Sequence, residues 1–222
     1  MWEAVDMSIP TKEEMTRALK ERHGSQMQEA LLAGTVAVCG LGGLGSNIAV
    51  SLARAGVGKL ILIDFDRVDI TNLHRQQYTP AQIGMFKADA LYENLKAIAP
   101  YTELVRHTVR ITEENIQELL CDADIICEAF DNAEAKAMLT NCVLERFPDK
   151  FLVAASGMAG IGPANDIKTR KISEHFYLCG DGVSDVNSSK GLFSSRVMLC
   201  AAHQAHAVLQ IFAGKLKTEK EG

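Results

Sequence analysis

The residues best equipped for chemistry are a run of glycines and four charged side chains: Gly40, Gly42, Gly43 and Gly45, then Asp64, Arg75, Lys87 and Asp131, the last followed by Asn132. Glycines in a GxGxxG spacing let the backbone take positive φ and let a ligand come close where a Cβ would otherwise stand. A helix opening near Gly43 aims free N–H groups and the positive end of its dipole at the turn, which suits a phosphate. Asp64 ends the next apolar run, close to where a carboxylate that binds a ribose diol is expected. Arg75 and Lys87 can meet phosphate oxygens, and Asp131 can hold Mg²⁺ through one or two oxygens. Cations with a metal-binding acid stabilise a reacting phosphate, whereas hydride transfer has no use for them.

These side chains need a scaffold, and the apolar pattern supplies one. Short buried-strand runs at 35–39, 60–63, 101–109, 124–127 and 151–155 alternate with helical patterns at 43–55, 87–98, 112–120 and 133–147. Such alternation predicts a Rossmann-like, doubly wound, mostly parallel sheet covered on both faces, with ligands beyond the carboxyl ends of the strands. Residues 165–172 and 175–178 read as strands with no helix between them, which predicts an antiparallel C-terminal edge. Thr11 with Glu14 forms a capping box opening a helical arm over 1–34, broken at Gly24 and ended by Gly34. A nucleotide-binding core over 35–155 follows. The region 156–222 adds the edge strands, a polar loop at 180–191 expected to be mobile, and a closing helix from Ser194 to Phe212 stopped by Gly214, with a solvated KTEKEG end. No repeat or domain boundary interrupts this order.

Composition narrows the partners. Of 222 residues, 47% are hydrophobic, enough for one core, and the net charge of −5 argues against non-specific nucleic-acid binding. No stretch reads as a membrane span, because the closing helix is interrupted by His203, Gln204, His206 and Gln210. The six cysteines never fall as CxxC and most lie in apolar runs. They predict a reducing cytoplasm, no disulfide framework and no zinc site. Cys179, beside the polar loop, is the cysteine whose setting suggests exposure and so a possible thiolate relay, an inert thiol being the favoured reading. His203 and His206 could bind metal but lack a neighbouring acid or cysteine, and fit better as buried or dimer-contact residues.

The segment VCGLGGLGSNIAVSLARAGVGKLILIDFDRVDITNLHRQQY, then Lys87, then Asp131-Asn132, resembles the adenylating enzymes related to ubiquitin-activating enzymes, and within them the ThiF/MoeB/HesA group. Residues 64–76 match the pattern D-x-D-x-V-x-x-S/T-N-L-x-R-Q throughout. The resemblance covers about Arg22 to Ala155. It implies a homodimer that uses ATP and Mg²⁺ to join the terminal Gly-Gly carboxylate of a ubiquitin-like sulfur carrier to AMP, releasing pyrophosphate. It further implies that Gly40 to Gly45 lie against the nucleotide and that Asp64 binds the ribose. By the same resemblance Asn72, Arg75 and Lys87 hold the triphosphate, and Asp131 positions Mg²⁺ with Asn132 nearby. An arginine near the N-terminus, Arg22 first and Arg17 second, would reach the partner subunit's phosphates, a solvated surface role being as good a reading of either.

The closing part, from ASGMAG to the last helix, is similar to the short ThiF form, which implies a ThiS-like carrier of thiamine thiazole synthesis; a MoaD-like molybdopterin carrier is the alternative. Missing zinc-binding CxxC pairs and a missing rhodanese-like stretch imply that sulfur comes from elsewhere. An NAD-dependent oxidoreductase explains only the glycine turn and Asp64. A non-catalytic adaptor of the same fold leaves Arg75, Lys87 and Asp131 without a purpose.

Overall fold

Alternation within the short apolar runs decides the architecture. In Thr35–Cys39 (β1), Val36 and Val38 face one side of the sheet, Ala37 and Cys39 the other, and all four are buried. Lys59–Ile63 (β2), Glu103–His107 (β3), Ile125–Glu128 (β4) and Phe151–Ala155 (β5) join it in parallel. Lys168–Lys171 (β6) and Phe176–Gly180 (β7) complete a seven-stranded sheet in the order β3-β2-β1-β4-β5-β7-β6. β7 runs parallel to β5, and only β6 is antiparallel, against β7. This computed structural model describes residues 9–185 and 191–220. The expectations for the first eight residues, for the middle of the 180–191 loop and for a solvated KTEKEG end lie outside the described residues and side chains.

Two apolar layers sandwich the sheet. Lys12–His23 (α1) and Ser25–Ala33 (α2) form the arm, with the Thr11–Glu14 capping box in place and Gly24 breaking the helix at φ +83°. Gly43–Ala55 (α3) and Lys87–Ile98 (α4) cover one face with Leu31 of α2. Ile116–Leu120 (α5) and Ala133–Arg146 (α6) cover the other through Ile116, Leu120, Leu139 and Val143. Ser194–Lys220 (α7) packs along α3 and over the ends of β5, β6 and β7.

The strand expected over 101–109 is confined to Glu103–His107, and three further elements depart from the expected bounds. The helix expected over 112–120 is only α5, because the Asn115 side chain accepts the Thr112 N–H at 2.8 Å and donates to the Arg110 carbonyl, favouring a turn there. The strand expected from Asn165 begins at Lys168, after a 3₁₀ turn over Ala164–Asp166 that follows Pro163. Gly214 does not stop α7, which continues to Lys220; a lone glycine within a helix costs about 1 kcal/mol against alanine and does not have to end it. Ser194–Gly214 is also long and apolar enough to cross a membrane by length and composition, contrary to the sequence reading. Half of its most apolar stretch is buried inside this molecule, where Gln204 donates to the carbonyls of Glu128 and Val153.

Candidate active site

The glycine turn is held from several sides. Gly40, at the carboxyl end of β1, has φ +88°, and its N–H donates to the Ile63 carbonyl at 2.9 Å. A Cβ on Gly45 would lie 1.8 Å from the Gly40 oxygen, so only glycine lets α3 start this close to β1. Leu41 is tied at both backbone groups: its N–H donates to Asp64 Oδ2 at 2.6 Å, and the Tyr78 hydroxyl donates to its carbonyl at 2.7 Å. Gly42 is the N-cap of α3 and, being glycine, offers no side-chain cap. A Cβ on Gly42 would meet nothing nearer than Gln76 Nε2 at 3.6 Å, so the face over the turn is open to a ligand.

Asp64 has a more structural part than a ribose clamp alone. Its other oxygen accepts the Asp66 N–H at 2.7 Å, so each oxygen already holds one backbone donor. Burial pushes its carboxyl above the ordinary range, while Lys87 and the two backbone donors pull the other way. Each oxygen keeps a further lone pair for a sugar hydroxyl. Burial also raises the Tyr78 hydroxyl well above its usual value, with the negative charges of Asp64 and Asp66 adding to the effect.

Lys87 opens α4 and is buried, and its ammonium donates to Asp66 Oδ2 at 2.8 Å. Asp66 went unassigned in the sequence reading, although it is the second acid of the D-x-D pattern. Arg75 follows the 3₁₀ turn Ile70–Asn72, whose Asn72 carbonyl accepts the Arg75 and Gln76 N–H groups at 3.1 Å. Its side chain runs over the start of α3, with Cγ 3.5 Å from where a Cβ on Gly43 would stand. Burial lowers the Arg75 guanidinium from its ordinary value, and the opposing influence is the charge of Asp131, which places these two groups within electrostatic reach. Gln76 is buried and its Oε1 has no partner, leaving an acceptor beside the glycine turn.

Asp131 is exposed on the turn after β4. Asn132 caps α6, accepting the Ala135 N–H at 2.9 Å, so its oxygen is committed to the helix. That turn hangs from a buried ion pair absent from the sequence reading. Glu128, 1% exposed, takes Lys136 Nζ at 2.8 and 3.0 Å and the Phe130 N–H at 2.7 Å.

Arg17 and Arg22 do not join this group. Both are exposed on α1, and the arm packs at the amino-terminal end of the strands, where Gln28 donates to the Gly56 carbonyl and the Tyr101 hydroxyl to the Pro10 carbonyl. Cys179 is buried rather than exposed, and burial pushes its thiol up to about 11. Among the described residues the exposed cysteine is Cys121. His203 bonds Thr169 at 2.9 Å, His206 is exposed, and no group of three or more potential metal ligands occurs among the described residues. A lone Asp131 nevertheless fits Mg²⁺, which takes one or two carboxylates and completes its shell with phosphates and water.

This arrangement of a glycine turn, an acid at β2 and two cations coincides with a family-model match over residues 15–221, described as the ThiF family. The chain belongs to the ThiF family. Over 137 residues it is 36% identical to an adenylyltransferase and sulfurtransferase MOCS3 of Aedes aegypti, covering 61% of this chain and 31% of that protein. Over 139 residues it is 34% identical to a sulfur carrier protein adenylyltransferase of Thermus thermophilus, covering 60% and 51%. The chain thus spans between a third and a half of these ThiF-related proteins. In fold it is similar to the E. coli tRNA N6-threonylcarbamoyladenosine dehydratase TcdA in complex with ATP, with TM-score 0.83 and 19% identity over 97% of this chain and all of that one. E. coli MccB with ATP gives 0.68 and 22% over 87% and 59%.

Proposed function

We propose that this ThiF-family protein is an ATP-dependent adenylyltransferase that activates the terminal carboxylate of a ubiquitin-like sulfur carrier. The observation that supports the reading is an uncapped N-terminus of α3 with the Arg75 side chain running over it, within electrostatic reach of Asp131. A carboxylate is ionised at neutral pH and needs no general base to attack the α-phosphorus. One of its oxygens bonds phosphorus as the bond to the bridging oxygen breaks, and pyrophosphate leaves with that electron pair. What the protein supplies is alignment and charge. Backbone N–H groups at Gly42–Gly45 lie along the phosphates, Arg75 offsets charge at the reacting phosphorus, and Lys87 exchanges Asp66 for phosphate or ribose oxygens. Asp131 would hold Mg²⁺, which neutralises the β- and γ-phosphates when bound. Asp64, already holding Leu41, would turn its remaining lone pairs to the ribose.

The names of the T. thermophilus and A. aegypti relatives support a sulfur carrier as substrate, and the closing segment's likeness to short ThiF favours a ThiS-like one. A homodimer in a reducing cytoplasm is part of the same proposal, in which Arg22 or Arg17, exposed on α1 away from this copy's crevice, would serve the partner's phosphates. The deciding experiment is carrier-dependent exchange of labelled pyrophosphate into ATP, with a panel of Gly-Gly-ended carriers. Exchange with at least one carrier, abolished by Asp131→Ala in a folded protein, is the expected result. Absence of exchange with every carrier, or normal exchange in Asp131→Ala, overturns the reading.

A further inference from the structure

Beside the nucleotide crevice lies a second built feature. At the carboxyl ends of β5 and β7, the 157–163 loop, the 181–184 turn and the start of α7 enclose a recess of about 510 Å³. One side chain fastens all three. Arg196, on the first turn of α7, donates to the carbonyls of Gly162 at 2.6 Å and Pro163 at 2.9 Å, and to Asp181 Oδ2 at 2.7 Å. Asp181 Oδ1 in turn accepts the N–H groups of Val183 and Ser184 at 2.8 Å, and Ser184 Oγ accepts the Ala159 N–H at 3.0 Å. The side chains of Arg196 and Asp181 are only 7% and 8% exposed. Arg196 Nε is buried without a hydrogen-bond partner.

The recess is joined to the phosphate side of the crevice. Val197, the next residue, approaches Gly43 so closely that a Cβ there would come 2.9 Å from Val197 Cγ1, and Arg75 passes the same point. His74, beside Arg75, bonds the Leu192 carbonyl at 3.1 Å, and the Gly160 N–H donates to the Gly191 carbonyl at 2.9 Å. The rim is apolar and exposed, with Ile161 at 81% and Val183 at 84%, and the lining between them combines the small residues Ala159, Gly160 and Gly162 with Phe193 and the Asp166 carboxylate beside the Asp181–Arg196 pair. Ala159, Gly160 and Gly162 leave one wall low enough for the backbone of an extended peptide of small residues, and an apolar rim suits the body from which that peptide extends.

A buried ion pair is poor evidence of stability for its own sake, since apolar replacements of similar volume are often as stable. This one has a geometric consequence, because it fixes the spacing of two walls. We propose that Arg196, clamped by Asp181, is a positioning residue for adenylation: it holds the 157–163 loop and the 181–184 turn as the sides of a recess that seats the substrate's C-terminal peptide against the crevice. The proposal rests on the adenylyltransferase reading.

The test measures carrier KM and kcat by pyrophosphate exchange, and ATP affinity by titration without carrier, using a Gly-Gly-ended ubiquitin-like carrier that supports exchange with the wild type. Asp181→Asn/Arg196→Gln removes both charges together, and Val183→Asp alters an exposed rim position that folding does not need. Both are expected to raise carrier KM at least tenfold and to leave ATP affinity within twofold, with Arg196→Lys recovering part of the loss. A carrier KM within twofold of wild type in Val183→Asp overturns the proposal, whether or not the double variant folds. So does a folded double variant that loses ATP affinity and carrier affinity alike. Absence of exchange in the wild type sinks the adenylyltransferase reading instead, a distinguishable failure.

Discussion

Replacing Lys136 by methionine tests how the turn bearing Asp131 is held. Lys136 is a quarter exposed, but its partner Glu128 is 1% exposed and sits where β4 ends and the turn bearing Asp131 begins. Methionine keeps most of the stem and removes the ammonium, leaving a buried carboxylate with the Phe130 N–H at 2.7 Å and a weaker contact to the Ala155 N–H at 3.5 Å. Removing one partner of a buried pair costs about 3–5 kcal/mol, and the partial exposure of Lys136 puts this case near the lower end, about 3. For a chain of this size that corresponds to a fall of roughly 6–12 °C in melting temperature, leaving a folded protein if total stability lies in the ordinary range of about 5–15 kcal/mol. The double variant Glu128→Gln/Lys136→Met removes the stranded charge and should lose less than Lys136→Met alone. Urea titration with calorimetry reads both quantities, and pyrophosphate exchange reads the turn, where both variants should be slowed because Phe130 is no longer moored as before. A loss below about 1 kcal/mol in the single variant, or a double variant less stable than the single, refutes the reasoning.

Three further outcomes follow from the same geometry. Arg75→Ala should lower the exchange rate by at least tenfold while nucleotide affinity falls less if, as proposed, its charge acts on the reacting phosphorus; unchanged turnover removes it from the mechanism. Asp64 has its carboxyl raised by burial, so the native state binds more protons than the unfolded one, and stability falls as pH rises from about 4 through the raised native value. Lys87→Met removes a charge that opposes that rise, so its stability deficit against wild type, followed by denaturant titration of the ligand-free protein, should widen between about pH 4 and 7. Maleimide labelling of native protein followed by peptide mass spectrometry should modify Cys121 and spare Cys179, which at about 11 presents roughly one thiolate in 10,000 at pH 7 besides being buried; rapid labelling of Cys179 reopens the relay.

Most of the fold was legible because its signals are local. The β1–α3–β2 unit has alternation, glycines that a close approach or positive φ requires, and a terminal acid, all within thirty residues. Thr11 and Glu14 foretold the capping box of α1, since a cap is read within four positions. The same locality explains the misses. Nothing near Thr112 says that Asn115 will fold back on it in preference to continuing a helix, and nothing near Gly214 says whether a helix already under way will end.

The site divides along the same line. Residues proposed to touch a ligand sit in a spaced motif, so Gly40 to Gly45, Asp64, Arg75, Lys87 and Asp131 could be nominated from the sequence, whereas those that hold them act across distant chain. Asp64 is the instructive case: its motif position suggests a sugar ligand, yet its shortest bonds are to the Leu41 and Asp66 N–H groups. It shapes the turn before any ligand arrives. Cys179 errs for a related reason, because a thiol next to glycines and a polar loop looks exposed until β7 is seen inserted between β5 and β6, with Thr169 against the sulfur. Gln204 and Glu128 meet across 76 positions, Arg196 and Gly162 across 34, and no periodicity encodes either contact. Both contacts engage α7, the element with the least motif character. The side chains proposed for the chemistry therefore come from the first two-thirds of the chain, and the last helix bonds to the strand and loop main chain beside them.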